Sequence, residues 1–397
     1  MTLERFGSVG GQDVLQVTLT GPDGMTMKVL TWGAVARDLV VPSAAGPQRV
    51  VLGLNSVEDY VAHSPYFGAI VGRHANRIGQ ARFTLNGETH ILDANEGENQ
   101  LHGGTMGFGT RLWSMVDHTA SSVTLSLVSE DGDMGYPGRL RATCTYTLLG
   151  SSRLRIELEA TCDRPTPVNL TTHGYFNLDG SPDISSHRLM IAGDYITPTR
   201  PDLIPTGEIT AVAGTDYDFT ASRPIHGAQH TLYDTNYVLR GPYGELRHAA
   251  TLESPTNGLS MELWTTEPGV QFYDGHLLDM PVQGLSGARY GRHGGFAWSR
   301  SASPTAPIMP IFPRLSWYRG RSLDKSASCG SLADPKGFVW ELCPSVAVAL
   351  CRRCVSGQTR TKKGHSPCRC SMRKPWRSIR KEWLSSRAYC VLVTLPR

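Results

Sequence analysis

Short runs of alternating hydrophobic and polar residues dominate the first three quarters of the chain. Hydrophobic residues alternate with polar ones at Val123, Leu125 and Leu127, and again in the segment RLRIELEA, residues 153–160. A period of two is typical of a strand with one buried face and one face in water. Clusters of Gly, Pro, Asn and Asp separate these runs, as turns separate strands. No long helical stripe interrupts the pattern, which therefore predicts an all-β antiparallel sandwich or barrel.

This pattern ends abruptly after Phe296. Residues 297–397 contain 19 Lys and Arg but only four acids, a net charge of +15, whereas residues 1–296 contain 20 basic and 31 acidic residues, a net charge of −11. Seven of the nine cysteines also follow the break. We therefore divide the chain into a β-rich domain, 1–296, and a basic, cysteine-rich tail, 297–397. We expect the tail to be irregular and disordered, because little periodic apolar pattern offsets its ordering entropy.

The composition of the domain indicates its cellular compartment and the kinds of partner that it binds. The domain is poor in cysteine and mildly acidic, as suits an enzyme of a reducing compartment. No charged and then apolar leader opens the chain, and no run reaches the ~18 apolar residues that a membrane helix needs. We expect a cytoplasmic monomer or weak dimer with no membrane or nucleic-acid partner. No metal motif and no phosphate-binding glycine loop occurs in the domain, so we expect no metal, no cofactor and a small polar substrate.

Two polar segments interrupt the strand-like sequence in its first third. GRHANRIG, residues 72–79, supplies Arg73, Asn76 and Arg77, whose many donors and amide acceptor suit sugar hydroxyls. A solvated basic turn would explain the same segment. NQLHGG, residues 99–104, places two glycines directly after His102, which would let the backbone approach a ligand closely. A turn with a surface histidine is the alternative there.

The most informative segment is VNLTTHGYFNL, residues 168–178. His173 lies inside this strongly β-prone run, next to Thr172, Gly174 and Tyr175. An imidazole has a reference pKa of ~6.5 and can therefore give or take a proton at neutral pH. A core histidine with satisfied hydrogen bonds is the alternative interpretation.

Two further segments offer groups that recognise hydroxyls. YDTN, residues 233–236, contains Asp234, and TTEPGVQFYDG, residues 265–275, contains Gln271 and Tyr273. The carboxylate and the amide could bind hydroxyls, and the phenol ring could stack on a sugar face. An Asp in such a position is also a common turn former.

Together these segments resemble the aldose 1-epimerase (galactose mutarotase) family. The resemblance covers roughly residues 1–296 and is carried by segments that follow the family's order and spacing: GRHANRIG, NQLHGG, NLTTHGYFNL, PTG at 205–207, Asp-x-Asp-Phe at 216–219, YDTN and TTEPGVQFY. It implies a large antiparallel β-sandwich with a sugar groove across one sheet. The implied activity is the interconversion of the α and β anomers of aldohexoses such as glucose and galactose.

The resemblance also implies a role for each matching residue. His173 would be the general acid that protonates the ring oxygen, and His102 would hydrogen-bond near that oxygen. The remaining implied contacts to the sugar are Asn76 and Arg77 on its oxygens, Gly174 and Tyr175 in the wall of the site, and Asp234 and Gln271 on the hydroxyls of the far side. Each proton-transfer group of such a reaction typically contributes ~10²–10⁴-fold.

The family's catalytic base is missing from this sequence. The base is a glutamate in a motif Gly-Phe-x-Leu-Glu-Pro-Gln, whereas this chain continues from Gly295-Phe296 with AWSRS. In a shifted reading frame, each codon consists of the last base of one residue's codon and the first two bases of the next. Read in this frame, the codons of this segment permit the family motif. Ala297–Trp298 permits Leu, Trp298–Ser299 permits Glu, and the next two pairs permit Pro and Gln. We therefore interpret the tail as out of frame after the loss of one base, so that activity could be lost.

Other interpretations of the tail and of the domain stay open at this point. The positive charge of the tail, together with Trp376 and Trp383, could bind nucleic acid. Two cysteine pairs, Cys351 with Cys354 and Cys368 with Cys370, could be zinc ligands, although neither has a familiar spacing. The domain could instead be a sugar-phosphate epimerase of the same fold or a non-catalytic carbohydrate-binding protein.

Overall fold

The computed structural model describes residues 2–227, 231–301 and 384–394, with the backbone alone at 299–301 and 384–394. Strands form almost all of its regular structure. In chain order they are β1 (Thr2–Val9), β2 (Gln12–Thr20), β3 (Thr26–Leu30), β4 (Ala36–Ser43), β5 (Gly46–Arg49), β6 (Ile70–Val71), β7 (Arg77–Ile78), β8 (Arg82–Leu85), β9 (Glu88–Ile91), β10 (Gln100–Leu101), β11 (Ser114–His118), β12 (Ser122–Ser129), β13 (Leu140–Leu149), β14 (Arg153–Cys162), β15 (Thr171–Thr172), β16 (Tyr175–Phe176), β17 (Arg188–Ile191), β18 (Gly193–Thr197), β19 (Thr210–Ala211), β20 (Arg223–Pro224), β21 (Asp234–Leu239), β22 (Arg247–Glu253), β23 (Ser260–Thr265), β24 (Gly269–Tyr273), β25 (Phe296–Ser301) and β26 (Leu384–Thr394).

Helical structure is sparse in these ranges. One α-helix, α1, spans Val57–His63 and begins at Ser56, whose hydroxyl accepts a hydrogen bond from the backbone N–H of Asp59. Four 3₁₀ turns complete the elements, at Gly79–Ala81, Phe108–Thr110, Asp133–Gly135 and Leu285–Gly287. Within the described ranges, no helix is long and apolar enough to cross a membrane.

Three large sheets organise the strands, and every strand pairing in them is antiparallel. A five-stranded sheet has the order β1-β2-β3-β4-β5, a six-stranded sheet the order β16-β25-β24-β21-β18-β19, and a nine-stranded sheet the order β11-β12-β13-β14-β26-β23-β22-β17-β20. Three two-stranded pairs, β7 with β10, β6 with β15 and β8 with β9, lie between them in sequence. The all-β antiparallel prediction is confirmed.

One hydrophobic core is shared by the three large sheets. Met27 of β3, Leu158 of β14 and Phe272 of β24 are all fully buried in it. The alternation in the sequence assigned these faces correctly: Val123, Leu125 and Leu127 on β12 point into the core, as do the alternate apolar residues of β14. The sheets therefore pack face to face as a sandwich, in the way that period-two strands require.

Two segments of the predicted tail are described. Strand β25 continues the domain through Ser301 and pairs with β16 and β24, and strand β26 pairs with β14 and β23 inside the nine-stranded sheet. The two cysteine pairs considered as zinc ligands and most of the positive charge lie outside the described residues, in 302–383 and 395–397. The expectation of a disordered tail therefore stays a prediction.

Candidate active site

A cavity of about 470 Å³ brings most of the predicted site residues together. Of the eight residues to which the family resemblance gives a role, seven line it, namely Asn76, Arg77, His102, His173, Tyr175, Asp234 and Gln271, and Tyr273 lines it as well. Gly174 lies between two of these residues but does not line the cavity, and a side chain there would meet the ring of Phe176. A volume of this size suits a ligand of one or a few rings.

Two imidazoles face each other in the wall of this cavity. The rings of His102 and His173 are 5.1 Å apart between centroids and nearly perpendicular, and the ring of Tyr66 packs against both. Nδ1 of His102 accepts a hydrogen bond of 3.1 Å from the backbone N–H of Asn76. The His102 proton must therefore be on Nε2, so this side chain presents a donor. Neither histidine lies on the surface, since both are at least nine-tenths buried.

Both imidazoles are neutral at pH 7. Burial lowers the pKa of His173 to about 4. The pKa of His102 is lowered well below its usual value, first by burial and then by His173 and Arg77. Nδ1 of His173 is buried and has no hydrogen-bond partner among the described residues. A buried, unpaired ring nitrogen of this kind is typical of a functional site and is costly in a core.

Amide and carboxylate groups form a connected chain in the wall of the cavity, beginning at Asn76, which also contacts His102. The amide nitrogen of Asn76 donates to Gln271 Oε1 over 3.2 Å, and Gln271 Nε2 donates to Asp234 Oδ1 over 2.7 Å. This chain fixes the orientation of both amides. Asp234 keeps a second oxygen that lies 3.8 Å from Arg77 Nη1. Fixed donors and acceptors at this spacing suit the hydroxyls of a small polyol.

Arg77 is held by two hydrogen bonds to a residue that the sequence analysis did not single out. Its Nε and Nη2 atoms donate to the two carboxylate oxygens of Glu96 at 2.6 and 2.8 Å. Glu96 also lines the cavity. It comes from the acidic loop DANEGENQ, residues 93–100, where a carboxylate gives no signal above that of an ordinary solvated turn.

Arg73 does not belong to the cavity, which corrects its assignment as a sugar-binding group. Its guanidinium is buried on the other side of the chain and donates to backbone carbonyls of Ser129, Pro137 and Gly138. The side chain is a structural tie between loops. In an irregular segment the spacing of residues does not determine the direction of each side chain. The sequence therefore could not show whether Arg73 points into the cavity or away from it.

The glycines after His102 also act differently from the expectation. Gly103 has φ = +89°, and a Cβ atom there would collide with the carbonyl oxygen of Gly72. The close approach is therefore between two backbone segments of the protein. It places His102 beside Asn76, whose backbone carbonyl accepts from the His102 N–H over 3.1 Å.

Comparisons with known proteins show to which family the chain belongs. The family model described as aldose 1-epimerase matches residues 15–327. The chain belongs to the aldose 1-epimerase family. A galactose mutarotase of Bos taurus is 40% identical over 311 residues, which covers 76% of this chain and 90% of the relative. An aldose 1-epimerase of Escherichia coli is 36% identical over 315 residues, which covers 77% of this chain and 90% of the relative.

Solved structures of aldose 1-epimerase relatives have the same fold. An aldose epimerase homologue from C. elegans has a TM-score of 0.68 at 30% identity and covers 73% of this chain and 90% of its own. A galactose 1-epimerase from Lactobacillus acidophilus has a TM-score of 0.66 at 27% identity and covers 75% of this chain and 89% of its own. The expected sandwich of the galactose mutarotase type is therefore confirmed.

The backbone locates the position at which the aldose 1-epimerase motif has its glutamate. Counting from Gly295-Phe296, that position is Ser299. Strand β25 lies between β16 and β24, with Ala297 paired to Tyr175 and Ser299 paired to Gln271. Directly paired residues share a sheet face, so position 299 is on the face of Gln271.

Proposed function

We propose that this chain binds aldohexoses such as glucose and galactose and is an aldose 1-epimerase, an isomerase that interconverts their α and β anomers. The observation that carries the proposal is one cavity lined both by the His102–His173 pair and by the hydrogen-bonded chain Asn76–Gln271–Asp234. The first group handles protons and the second orients hydroxyls. We place the reaction in the cytoplasm, in a monomer or weak dimer; the low cysteine content of residues 1–296, which contain Cys144 and Cys162 alone, supports a reducing compartment.

The proposed reaction uses one acid and one base. His173, as imidazolium, donates a proton to the ring oxygen while a base takes the proton of the C1 hydroxyl, and the C1–O5 bond opens. The aldehyde then rotates about the C1–C2 bond and the ring closes on its other face, with both protons returned. His102 donates from Nε2 toward the ring oxygen. Because His173 is neutral in the empty cavity, only a small protonated fraction starts this cycle at pH 7.

A glutamate at position 299 would have two effects on the proposed reaction. Its carboxylate would take the C1 proton, and a negative charge near His173 would raise the pKa of that imidazole. With Ser299 in its place, we expect this chain to turn over aldoses much more slowly than a chain that carries the glutamate.

The cavity favours an uncharged sugar over a sugar phosphate. Among its described lining residues, Arg77 is the one that carries a permanent positive charge, and Glu96 and Asp234 both lie against it. A phosphate would need unpaired cations. A purely binding protein would hold the same sugar without changing the rate of anomer exchange.

Polarimetry on freshly dissolved α-D-glucose and α-D-galactose tests the proposed function. We expect the Ser299→Glu variant to accelerate mutarotation ~10²–10⁴-fold over the Ser299→Gln variant, which has the same length without the charge. The proposal fails if Ser299→Glu binds galactose and gives no acceleration, because the cavity would then only bind. It also fails if galactose 1-phosphate binds more tightly than galactose.

We also infer that the chain runs out of frame from about residue 297. Sequencing the gene across codons 290–325 tests this inference. One additional base that produces Leu-Glu-Pro-Gln after residue 297 would support it and would restore the glutamate at position 299. A gene that encodes AWSRSAS as printed would mean that the lost base is a property of the gene itself.

A further inference from the structure

A buried carboxylate holds a histidine at the rim of the cavity, and neither residue has a role in the reaction described so far. Asp274 directly follows β24 and is fully buried, and His276 lines the cavity with 15% of its side chain exposed. Nδ1 of His276 lies 2.6 Å from Asp274 Oδ1, and the backbone N–H of His276 donates to the same oxygen over 3.1 Å. The side chain is therefore fixed by two contacts to one carboxylate oxygen.

The surroundings of Asp274 keep this carboxylate ionised. Burial alone would raise its pKa, but the imidazoles of His226 and His276 and the backbone N–H of Tyr233 lower the pKa of Asp274 well below its usual value. His226 Nε2 lies 3.2 Å and His293 Nδ1 lies 3.8 Å from Oδ2. An ionised carboxylate is an acceptor only, so Nδ1 of His276 must carry the proton.

This hydrogen bond determines which nitrogen of His276 is available for chemistry. With the proton on Nδ1, the lone pair is on Nε2, which has no protein partner among the described residues. The neighbouring ring of Tyr273 is 5.1 Å away between centroids, and burial raises the pKa of Tyr273 to about 12, so this phenol is neutral. A buried carboxylate that orients an imidazole and stabilises its protonated form is a general-base arrangement.

We propose that His276, oriented by Asp274, is the general base for anomer exchange in this chain, in which no glutamate occupies position 299. The inference rests on the proposed function. Nε2 of His276 takes the proton of the C1 hydroxyl as the protonated His173 gives its proton to the ring oxygen and the C1–O5 bond breaks. After rotation about C1–C2, the ring oxygen returns its proton to His173, and His276 returns a proton to the oxygen on C1. Both imidazoles end in their starting forms, so no other reactant is needed.

Asp274 is a positioning residue in this scheme and does not touch the sugar. Its charge fixes the tautomer of His276 and stabilises the imidazolium that forms when Nε2 takes the proton. His226 and His293 face the same carboxylate from the loops after β20 and before β25.

The test compares four forms of the full chain by polarimetry on α-D-galactose: the chain as it is, His276→Gln, Ser299→Glu, and the double variant. We expect the unaltered chain to accelerate mutarotation measurably and His276→Gln to lower kcat about 10²-fold with little change in KM. The double variant should retain most of the rate of Ser299→Glu, because the glutamate replaces the imidazole as base. Such rescue would not occur if His276→Gln had only damaged the fold.

Other outcomes separate this inference from the proposed function. If Ser299→Glu is active while the unaltered chain gives no acceleration over buffer, or if His276→Gln matches the unaltered chain, His276 is not the base and the proposed function stands. If Ser299→Glu is also inactive, the proposed function fails. Asp274→Asn should lower kcat with little change in KM, and the exposed His118→Gln should change neither.

Discussion

Three histidines of the domain, His74, His102 and His173, are buried as neutral side chains. Burial lowers the pKa of both His74 and His173 to about 4, and burial together with neighbouring His173 and Arg77 lowers that of His102 well below its usual value. In the unfolded chain each imidazole titrates near its reference value of ~6.5. The unfolded state therefore binds more protons than the folded state between these values. The contribution of these imidazoles to the free energy of unfolding is fully present above pH ~6.5 and is lost as the pH falls toward their pKa values in the folded protein.

His74 allows this acid sensitivity to be measured away from the reaction, because it does not line the cavity. We expect the free energy of unfolding in urea to fall between pH 7 and pH 5, with about 2 kcal/mol of that fall due to His74. His74→Gln should show a smaller fall by that amount. The exposed His118→Gln is the control and should keep the full slope. Identical slopes for His74→Gln and the unaltered chain would contradict burial of a neutral imidazole at this position.

Asp234 is the residue whose charge we expect to matter most for sugar affinity. One of its oxygens accepts from Gln271, and the carboxylate is 23% exposed toward the cavity. Asp234→Asn keeps the shape but removes a charged acceptor, so we expect galactose affinity to fall roughly 10- to 100-fold by titration calorimetry. Asp202→Asn, which removes a surface carboxylate paired with Arg200, is the matched control. Equal affinities for the two variants would exclude Asp234 from sugar contact.

At the scale of elements, the junction of β7 with β10 determines where His102 lies. Gly103 has φ = +89° and packs against the backbone of Gly72, whereas Gly97 has φ = +59° and open space around it. We expect Gly103→Ala to lower the free energy of unfolding by at least ~2 kcal/mol, from left-handed strain together with a backbone collision. Gly97→Ala carries the strain alone and should cost about 1 kcal/mol. Urea unfolding measures the loss of stability in each variant. Similar losses for Gly103→Ala and Gly97→Ala would mean that the backbones of Gly103 and Gly72 do not lie in contact.

The strands could be predicted from the sequence, whereas parts of the site could not, because strands and loops place their side chains by different rules. Alternation in β12 and β14 reports directly which side chains are buried, because a strand has only two faces. Arg73, Glu96 and His276 lie in turns and loops, where no such rule holds. Their roles depend on which other segment comes near: the loops around Ser129 and Pro137 for Arg73, β7 for Glu96, and the buried Asp274 for His276. His102 and His173 were found because the segments around them resemble a family, and their spacing alone left core and surface alternatives open.

At the scale of the whole molecule, the nine-stranded sheet depends on a strand from the far end of the chain. β26, Leu384–Thr394, lies between β14 and β23, so that Ile156 pairs with Val391 and Leu263 with Val393. Without it, β14 and β23 would each present an unpaired edge inside the sandwich, which is a site for misfolding and aggregation. The basic, cysteine-rich composition of the tail predicts disorder, whereas this pairing requires an ordered central strand in its last residues.

Hydrogen exchange followed by mass spectrometry separates these two possibilities. A strand paired on both sides exchanges only when the sheet opens, so we expect peptides that cover 384–394 to be protected as strongly as those of β13 in the same sheet. β13 is the internal control, since β12 and β14 pair with it on both sides. Exchange of 384–394 within seconds would mean that the position between β14 and β23 is open. The out-of-frame interpretation would then gain weight, since a frame-restored chain should supply an in-frame strand there and protect both neighbours.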